Sequence, residues 1–299
     1  MAKYDKNGYI TELEKDEVFV FGSNGQGAHL GGAAATAVRK FGAKMGQAEG
    51  LQGQSYAINT MDSEDEMSAQ IKRFIHFAEN HPELKFYVTE IGCGIAGYSP
   101  EQIAPKFAYY YNQNNIILPE SFIEANDKLM SDLFAGKKTI LFFEHAEPGA
   151  MGENLGGVIF WYLDNGELKR WQSFRNDMFF ELYNKHSSDF AYIYAGAGNY
   201  AHFNKETTFV DKKSDQEFIL RYKNKEYCVG GHCVGVTQTI TNTLRPNTDF
   251  ETFEQKETPP HYMTAKELEA RRKKLTEMRK LFESKKISPD RSLIWTDKI

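Results

Sequence analysis

The sequence predicts an α/β N-terminal domain, then a β-rich α+β domain, then a C-terminal helix. Apolar runs at 18–21, 55–59 and 85–91 alternate with a helical pattern at 67–78. Such alternation implies a parallel or mixed sheet covered by helices. From Lys138 onward, short runs rich in aromatic and β-branched residues follow one another between turn signals, the mark of a sheet-dominated domain. A basic, periodic segment follows Pro259-Pro260. A chain of 299 residues is long enough for two domains. The boundaries read as 1–126, 127–262 and 263–299.

The elements follow in order. Val18-Phe19-Val20-Phe21 is the first strand, and Gly22 to Gly32 is its glycine-rich exit. The helix after it runs from Ala33 to Phe41 and stops at Gly42. Ser55 to Asn59 is the second strand. Asp62, Glu64, Asp65 and Glu66 then read as a solvated helix start, where carboxylates complement the dipole. Met67, Ile71, Phe74, Ile75 and Ala78 fall on one face of that helix. Phe86-Tyr87-Val88 leads through Thr89 and Glu90 into a second glycine loop, Gly92 to Tyr98. Ser99, Pro100 and Gln102 read as the N-cap, first and third residues of a capping box. Ile103, Phe107, Tyr110 and Tyr111 carry the helical pattern on, and Pro105 is expected to kink or restart it. Asn115 to Pro119 closes the sheet.

In the second domain, strands are expected at 138–143, 158–163 and 168–174, the last two joined by the turn Asp164-Asn165-Gly166. A short helix fits 177–183, and further strands fit 191–194, 217–222 and 226–229. Trp161, Tyr162, Trp171 and Phe174 read as core. The segment 264–286 opens on a capping box, Thr264 to Glu267, and carries nine Lys/Arg against four Glu. Its narrow stripe of Leu268, Leu275, Met278 and Phe282 suits a helix docked on its own acidic body. The alternative is an arm for a protein or nucleic-acid partner.

The net charge of −5 argues against general polyanion binding, so nucleic acid is not an expected partner. Three cysteines fit a reducing compartment better than a disulfide framework. No apolar run approaches the length of a membrane span, and the first residues have no signal-peptide core. The expectation is a cytoplasmic protein with no membrane partner.

A strand, a glycine turn and a helix N-terminus together expose N–H groups and the positive end of a dipole, a ready anion site. This chain has two such units. Neither ends in the Lys-Ser/Thr of a P-loop, and the first lacks the spacing of a dinucleotide fingerprint. Two glycine loops on separate strands suggest a phosphate-bearing ligand clamped at the C-terminal edge of the sheet. The contact candidates are Gly22, Ser23, Asn24, His29, Gly31 and Gly32 in the first loop. In the second they are Gly92, Cys93, Gly94, Ile95, Ala96, Gly97 and Tyr98.

Asn24 and Glu90 are the catalytic candidates. Asn24 either contacts ligand or water, or satisfies its own loop. Glu90, late in an apolar run, must be paired, solvated or protonated. It reads as a base, as a hydroxyl partner, or as an acceptor for loop N–H groups. His29 is an acid/base or phosphate contact, or a spectator. Cys93 sits where loop dipoles would lower its pKa, or else fills space under the loop. His145, His202, His232 and Cys233 match no zinc spacing, so neither a metal nor a cofactor is expected. Gly230 to Gly235 is either a second functional turn or a hairpin.

The order of loops resembles a macrodomain, the ADP-ribose-binding α/β/α module, and most of all its divergent bacterial and phage members with the loop Val20-Phe21-Gly22-Ser23-Asn24. The resemblance covers about residues 5–125. It implies a three-layer fold, Asn24 near the distal ribose, and Gly94-Ile95-Ala96-Gly97-Tyr98 wrapped around the diphosphate. Gly31-Gly32-Ala33 would open the first helix, and Gly53 to Thr60 would be the middle strand. Gly8-Tyr9-Ile10-Thr11 departs from the family by placing Tyr where many members carry the Asp that bonds adenine. The glycine triplet and paired glutamates of poly(ADP-ribose) glycohydrolases are absent. The resemblance implies binding of ADP-ribose or a related NAD-derived nucleotide. Two roles stay open: metal-independent hydrolysis of an ADP-ribose linkage, or a non-catalytic sensor or sequestering module whose second domain engages a protein partner.

Overall fold

A computed structural model describes residues 2–5, 8–107, 115–146, 157–173, 176–196, 198–231 and 233–255, with 270, 273, 274 and 277 in the tail. A small ribbon of β1 (Lys3–Tyr4) and β2 (Ile10–Glu12) precedes the first large sheet. That sheet is built from β3 (Glu17–Ser23), β4 (Gly50–Gln52), β5 (Ser55–Asn59), β6 (Lys85–Val88) and β7 (Ile116–Ile117), in the order β4-β5-β3-β6-β7. β3 is parallel to both β5 and β6, β6 is parallel to β7, and only β4 runs antiparallel. A strand between two parallel neighbours is covered on both faces, which is why the centre of β3, Val18 to Phe21, reads as an unbroken apolar run.

Helices cover both faces. α1 (Gly32–Lys40) lies on the side of Phe19, Phe21 and Ala57, where Ala37 and Phe41 bury against them. α2 (Glu64–Glu79) and α3 (Pro100–Phe107) lie on the side of Val18, Val20, Ile58 and Phe86. Ser63 caps α2 by accepting from Glu66 N at 3.1 Å, and the acidic first turn faces the helix dipole as the sequence suggests. Gln102 Oε1 accepts from Ser99 N at 2.8 Å, one half of the anticipated capping box at α3. Pro105 lies inside α3 instead of restarting it. The helix is described only to Phe107, so the missing N–H leaves one carbonyl, that of Glu101, without its helical donor. The expected continuation through Tyr110 and Tyr111 lies outside the described residues.

α4 (Glu120–Phe134) was not anticipated, and the boundary expected at 126/127 falls inside it. Its first half buries Phe122 and Ala125 in the core beside α2 and α3. Its second half buries Met130, Leu133 and Phe134 in a different core, under the second large sheet. That sheet is wholly antiparallel, in the order β10-β9-β8-β12-β11: β8 (Thr139–Ala146), β9 (Gly157–Asp164), β10 (Glu167–Ser173), β11 (Phe190–Gly196) and β12 (Asn199–Asn204). α5 (Asn176–His186) joins α4 in covering one face, on Phe143, Phe160 and Trp171. On the other face lies a four-stranded sheet, order β15-β14-β13-β16, of β13 (Thr208–Lys212), β14 (Phe218–Tyr222), β15 (Lys225–Val229) and β16 (Thr248–Asp249). α6 (Val234–Thr243) adds Val236 and Ile240 to that core.

Alternation along β9 places Tyr162 under α5 and Trp161 on the opposite face, where its indole N–H donates to Gly230 O at 2.9 Å. Trp171 is buried against Phe160, and Phe174 lies outside the described residues. The whole is a mixed α/β chain with several sheets. Among the described residues, no helix is long and apolar enough to cross a membrane. The helix expected over 264–286 lies outside the described residues, apart from the four tail positions.

Two predictions follow from these cores. Trp161 and Trp171 sit in the second half and no tryptophan lies in the first, so tryptophan emission reports the second half and the tail. Phe122→Ala, a change in the first core, should cost about 3–5 kcal/mol. Because α4 is shared, it should also shift the urea midpoint read from tryptophan. An unmoved tryptophan transition would show that the halves unfold separately.

The second concerns His202, which is fully buried between Phe143, at 4.3 Å, and Tyr183. Burial, and then the neighbouring His145, hold its imidazole well below the ordinary value. An unfolded histidine titrates near about 6.5 and binds protons that the folded one refuses. Stability is therefore full above about pH 6.5 and falls as the pH drops through that value towards the depressed folded one. Urea midpoints from about pH 7.5 to about 5.5 should decline, and His202→Gln should flatten the decline.

Candidate functional site

Three loops meet at the C-terminal ends of β3, β5 and β6. The parallel register sets Ser23 beside Asn59 and Val20 beside Val88, so the three strands end at one edge. Thr60 N donates to Ser23 O at 3.0 Å, and Thr89 donates to Val20 O through both N, at 3.0 Å, and Oγ1, at 2.9 Å. Gly22 lies where they converge. A side chain there would meet Thr60 Oγ1 at 3.2 Å and Gly92 N at 3.4 Å. The missing Cβ lets the second glycine loop close down on the first.

In the first loop, Asn24 is half-buried and spends both ends of its amide on the backbone. Its Oδ1 accepts from Gln26 N at 3.2 Å and Ala28 N at 3.0 Å, while Nδ2 donates to Ala28 O at 3.3 Å. Of the two readings of Asn24, this geometry is that of the loop-satisfying one. His29 is buried edge-on against Phe21, with Nε2 2.8 Å from Ser23 Oγ, and burial lowers its pKa. It sits beneath the loop as a neutral ring.

Gly31 caps α1 without a side chain, and the first turn holds no acidic residue. Among the described residues, the N–H groups of Gly32, Ala33 and Ala34 find no acceptor. This helix end presents bare donors and a positive dipole.

The second loop folds on itself through Tyr98 N to Gly92 O and Gly97 N to Gly94 O, both 3.0 Å, and Cys93 N to Glu90 O, 3.2 Å. Among the described residues, the N–H groups of Gly92, Gly94, Ile95 and Ala96 have no acceptor. Such a run of free amides is an anion-binding concavity. Ile95, at 84% exposure, stands open on its rim, and Tyr98 packs on the core below.

The geometry decides between the readings left open for two residues of this loop. Glu90 lies past the end of β6, exposed, with Oε1 accepting from Ser121 Oγ at 2.6 Å; it is solvated and paired rather than strand-embedded. Cys93 is the space-filler of the two readings. It packs on the core, and burial, with Glu90 and Glu101 nearby, pushes its thiol up to about 11, the reverse of the lowering expected from loop dipoles.

A third loop was missed. Asn59 to Asp62 leaves β5 beside the first loop, with Asn59 Nδ2 donating to Asp62 Oδ2 at 2.6 Å and Met61 N donating to Asn59 Oδ1 at 3.1 Å. Asp62 is thus a loop residue, one position before the Ser63 cap, and not part of the acidic first turn. The available signal was its place just past a buried parallel strand, where α/β sheets put their sites.

The histidines weighed as metal ligands lie elsewhere. His145 and His202 are buried in the aromatic layer under α5, Cys233 is exposed at the N-cap of α6, and His232 lies outside the described residues. Two hollows open in the second half. One, of about 230 Å³, lies beside Trp161, Gly231 and Cys233, and the other, of about 570 Å³, lies between the end of α4 and Lys205.

If Asn24 shapes the loop, Asn24→Ala should loosen it and weaken the binding of any anion the loop helps to hold. Amide exchange at 26–28 should quicken along with a rise in Kd. A variant with unchanged Kd and a large loss of turnover would instead assign the side chain to chemistry.

No protein-family model matches this chain, and no curated protein or solved structure matches it. The site rests on its own geometry: free backbone donors on two loops, held together over Gly22.

Proposed function

We propose that the N-terminal half is a macrodomain-like α/β/α unit that binds ADP-ribose or a related NAD-derived nucleotide through its diphosphate. One observation carries the reading. Seven N–H groups, of Gly32 to Ala34 in the first turn of α1 and of Gly92 and Gly94 to Ala96 in the second glycine loop, lack acceptors among the described residues and follow adjacent parallel strands. Hydrogen bonds to a charged acceptor contribute about 1.5–3 kcal/mol each, so a few of these donors suffice for micromolar binding without a lysine. Helix covers on both faces of a mostly parallel sheet support the three-layer reading.

Binding is the primary role in this proposal, because the amide of Asn24 is spent on its loop and Glu90 is held by Ser121. The role of sensor is favoured over hydrolysis by α4. It begins beside the partner of Glu90 and ends in the second core, where a ligand-dependent shift could be read by a protein partner.

Calorimetry on the full chain with ADP-ribose, ADP and NAD tests the proposal. Gly97 has φ of +78° in open space, so Gly97→Val acts through backbone conformation alone. It should weaken ADP-ribose more than tenfold, about 1.4 kcal/mol, by moving the free amides beside it. Absence of heat with every nucleotide diphosphate would overturn the reading.

A further inference from the structure

Gly25 is a glycine without a left-handed backbone, for it is not among the residues of positive φ. Its reason is steric. A Cβ there would lie 2.4 Å from Asp62 Oδ2 and 2.9 Å from Oδ1, so the carboxylate fills the space a side chain would take. The carboxylate is held there. Oδ2 accepts from Asn59 Nδ2 at 2.6 Å, and Asn59 is itself fixed by Met61 N. Oδ1 makes no hydrogen bond among the described residues.

A carboxylate lodged in the first loop, beside the convergence of loops over Gly22, works against phosphate bound there, since like charges repel. A surface acid with no task would turn to water. Asp62 is instead oriented by a buried asparagine, and the first loop gives up a side chain to admit it. A group that repels one part of a ligand and is nonetheless positioned serves another part that donates a proton to it. On the far side of the first loop, Glu90 is held the same way by a single neutral donor, Ser121.

Resting on the nucleotide reading above, we infer that Asp62 is a specificity-determining residue. Its free oxygen accepts a hydrogen bond from a hydroxyl of a sugar joined to the bound diphosphate. The site then selects sugar diphosphates against bare polyphosphates, attracting the first through the hydroxyl and repelling the second through charge.

The test pairs two probes, ADP-ribose and inorganic pyrophosphate, in calorimetry on the full chain. Asp62→Asn keeps the shape and removes the charge. It should weaken ADP-ribose about tenfold or more, because a charged acceptor becomes a neutral one, and should leave pyrophosphate equal or tighter. Gly25→Ala should give the same opposed pattern, because its methyl displaces the carboxylate without straining the backbone. Movement of both probes in one direction, or unchanged ADP-ribose affinity in both variants, would overturn the inference. Wild-type protein that binds neither probe would overturn the nucleotide reading, and this inference with it.

Discussion

The candidate site depends on β3 lying between two parallel neighbours in a fixed register. Both faces of β3 are buried, Val18 and Val20 towards α2 and α3, Phe19 and Phe21 towards α1. A slip of one residue would exchange the two sets and bury each in the wrong core. That double burial is what holds Ser23 level with Asn59, and so decides which loop residues can touch. Gly22 then converts register into contact. The strand continues two residues past its last large side chain, Phe21, and at Gly22 the neighbouring loops lean over it. The donors of the second loop are free because the loop closes only some of its amides on itself, leaving the rest turned away from any protein acceptor.

Much of this was legible in the sequence, for identifiable reasons. β3, β5 and β6 announce themselves because parallel central strands must be apolar on both faces. α2 shows a clear helical face, and its acidic first turn is local chemistry written in adjacent residues. The two glycine loops were found for the same reason. What stayed hidden depends on contacts between residues far apart in the chain. Cys93 reverses its expected titration because the core beneath it and two carboxylates outweigh the loop dipoles. Asp62 looked like one more acid at a helix start, since nothing in the sequence says that Gly25 is glycine on its account.

The second half was read less completely. β12 and β13 were missed because a histidine and two asparagines in the first, and an aspartate and a lysine in the second, interrupt their apolar pattern. In the fold, His202 is accepted among aromatic rings as a neutral one, so a strand that reads as polar is buried. α4 was missed for a different reason. Its sequence, Glu120 to Phe134, carries a modest apolar stripe that suits neither half alone, and a reader seeking a linker takes it for one.

That stripe has a consequence for how such a chain can change over generations. Phe122, Ala125, Met130 and Leu133 fall within an arc of about 140° around the helix axis, so one broad side of α4 passes from the first core to the second. The helix works as a keyed shaft. Insertion of one residue near its middle would rotate one half against the other by about 100° and advance it about 1.5 Å, taking both keys out of their slots at once. Insertions of three or four residues would keep the phase better than one or two. Lineages of this chain are therefore expected to accumulate length changes on either side of 120–134 and to count in turns within it.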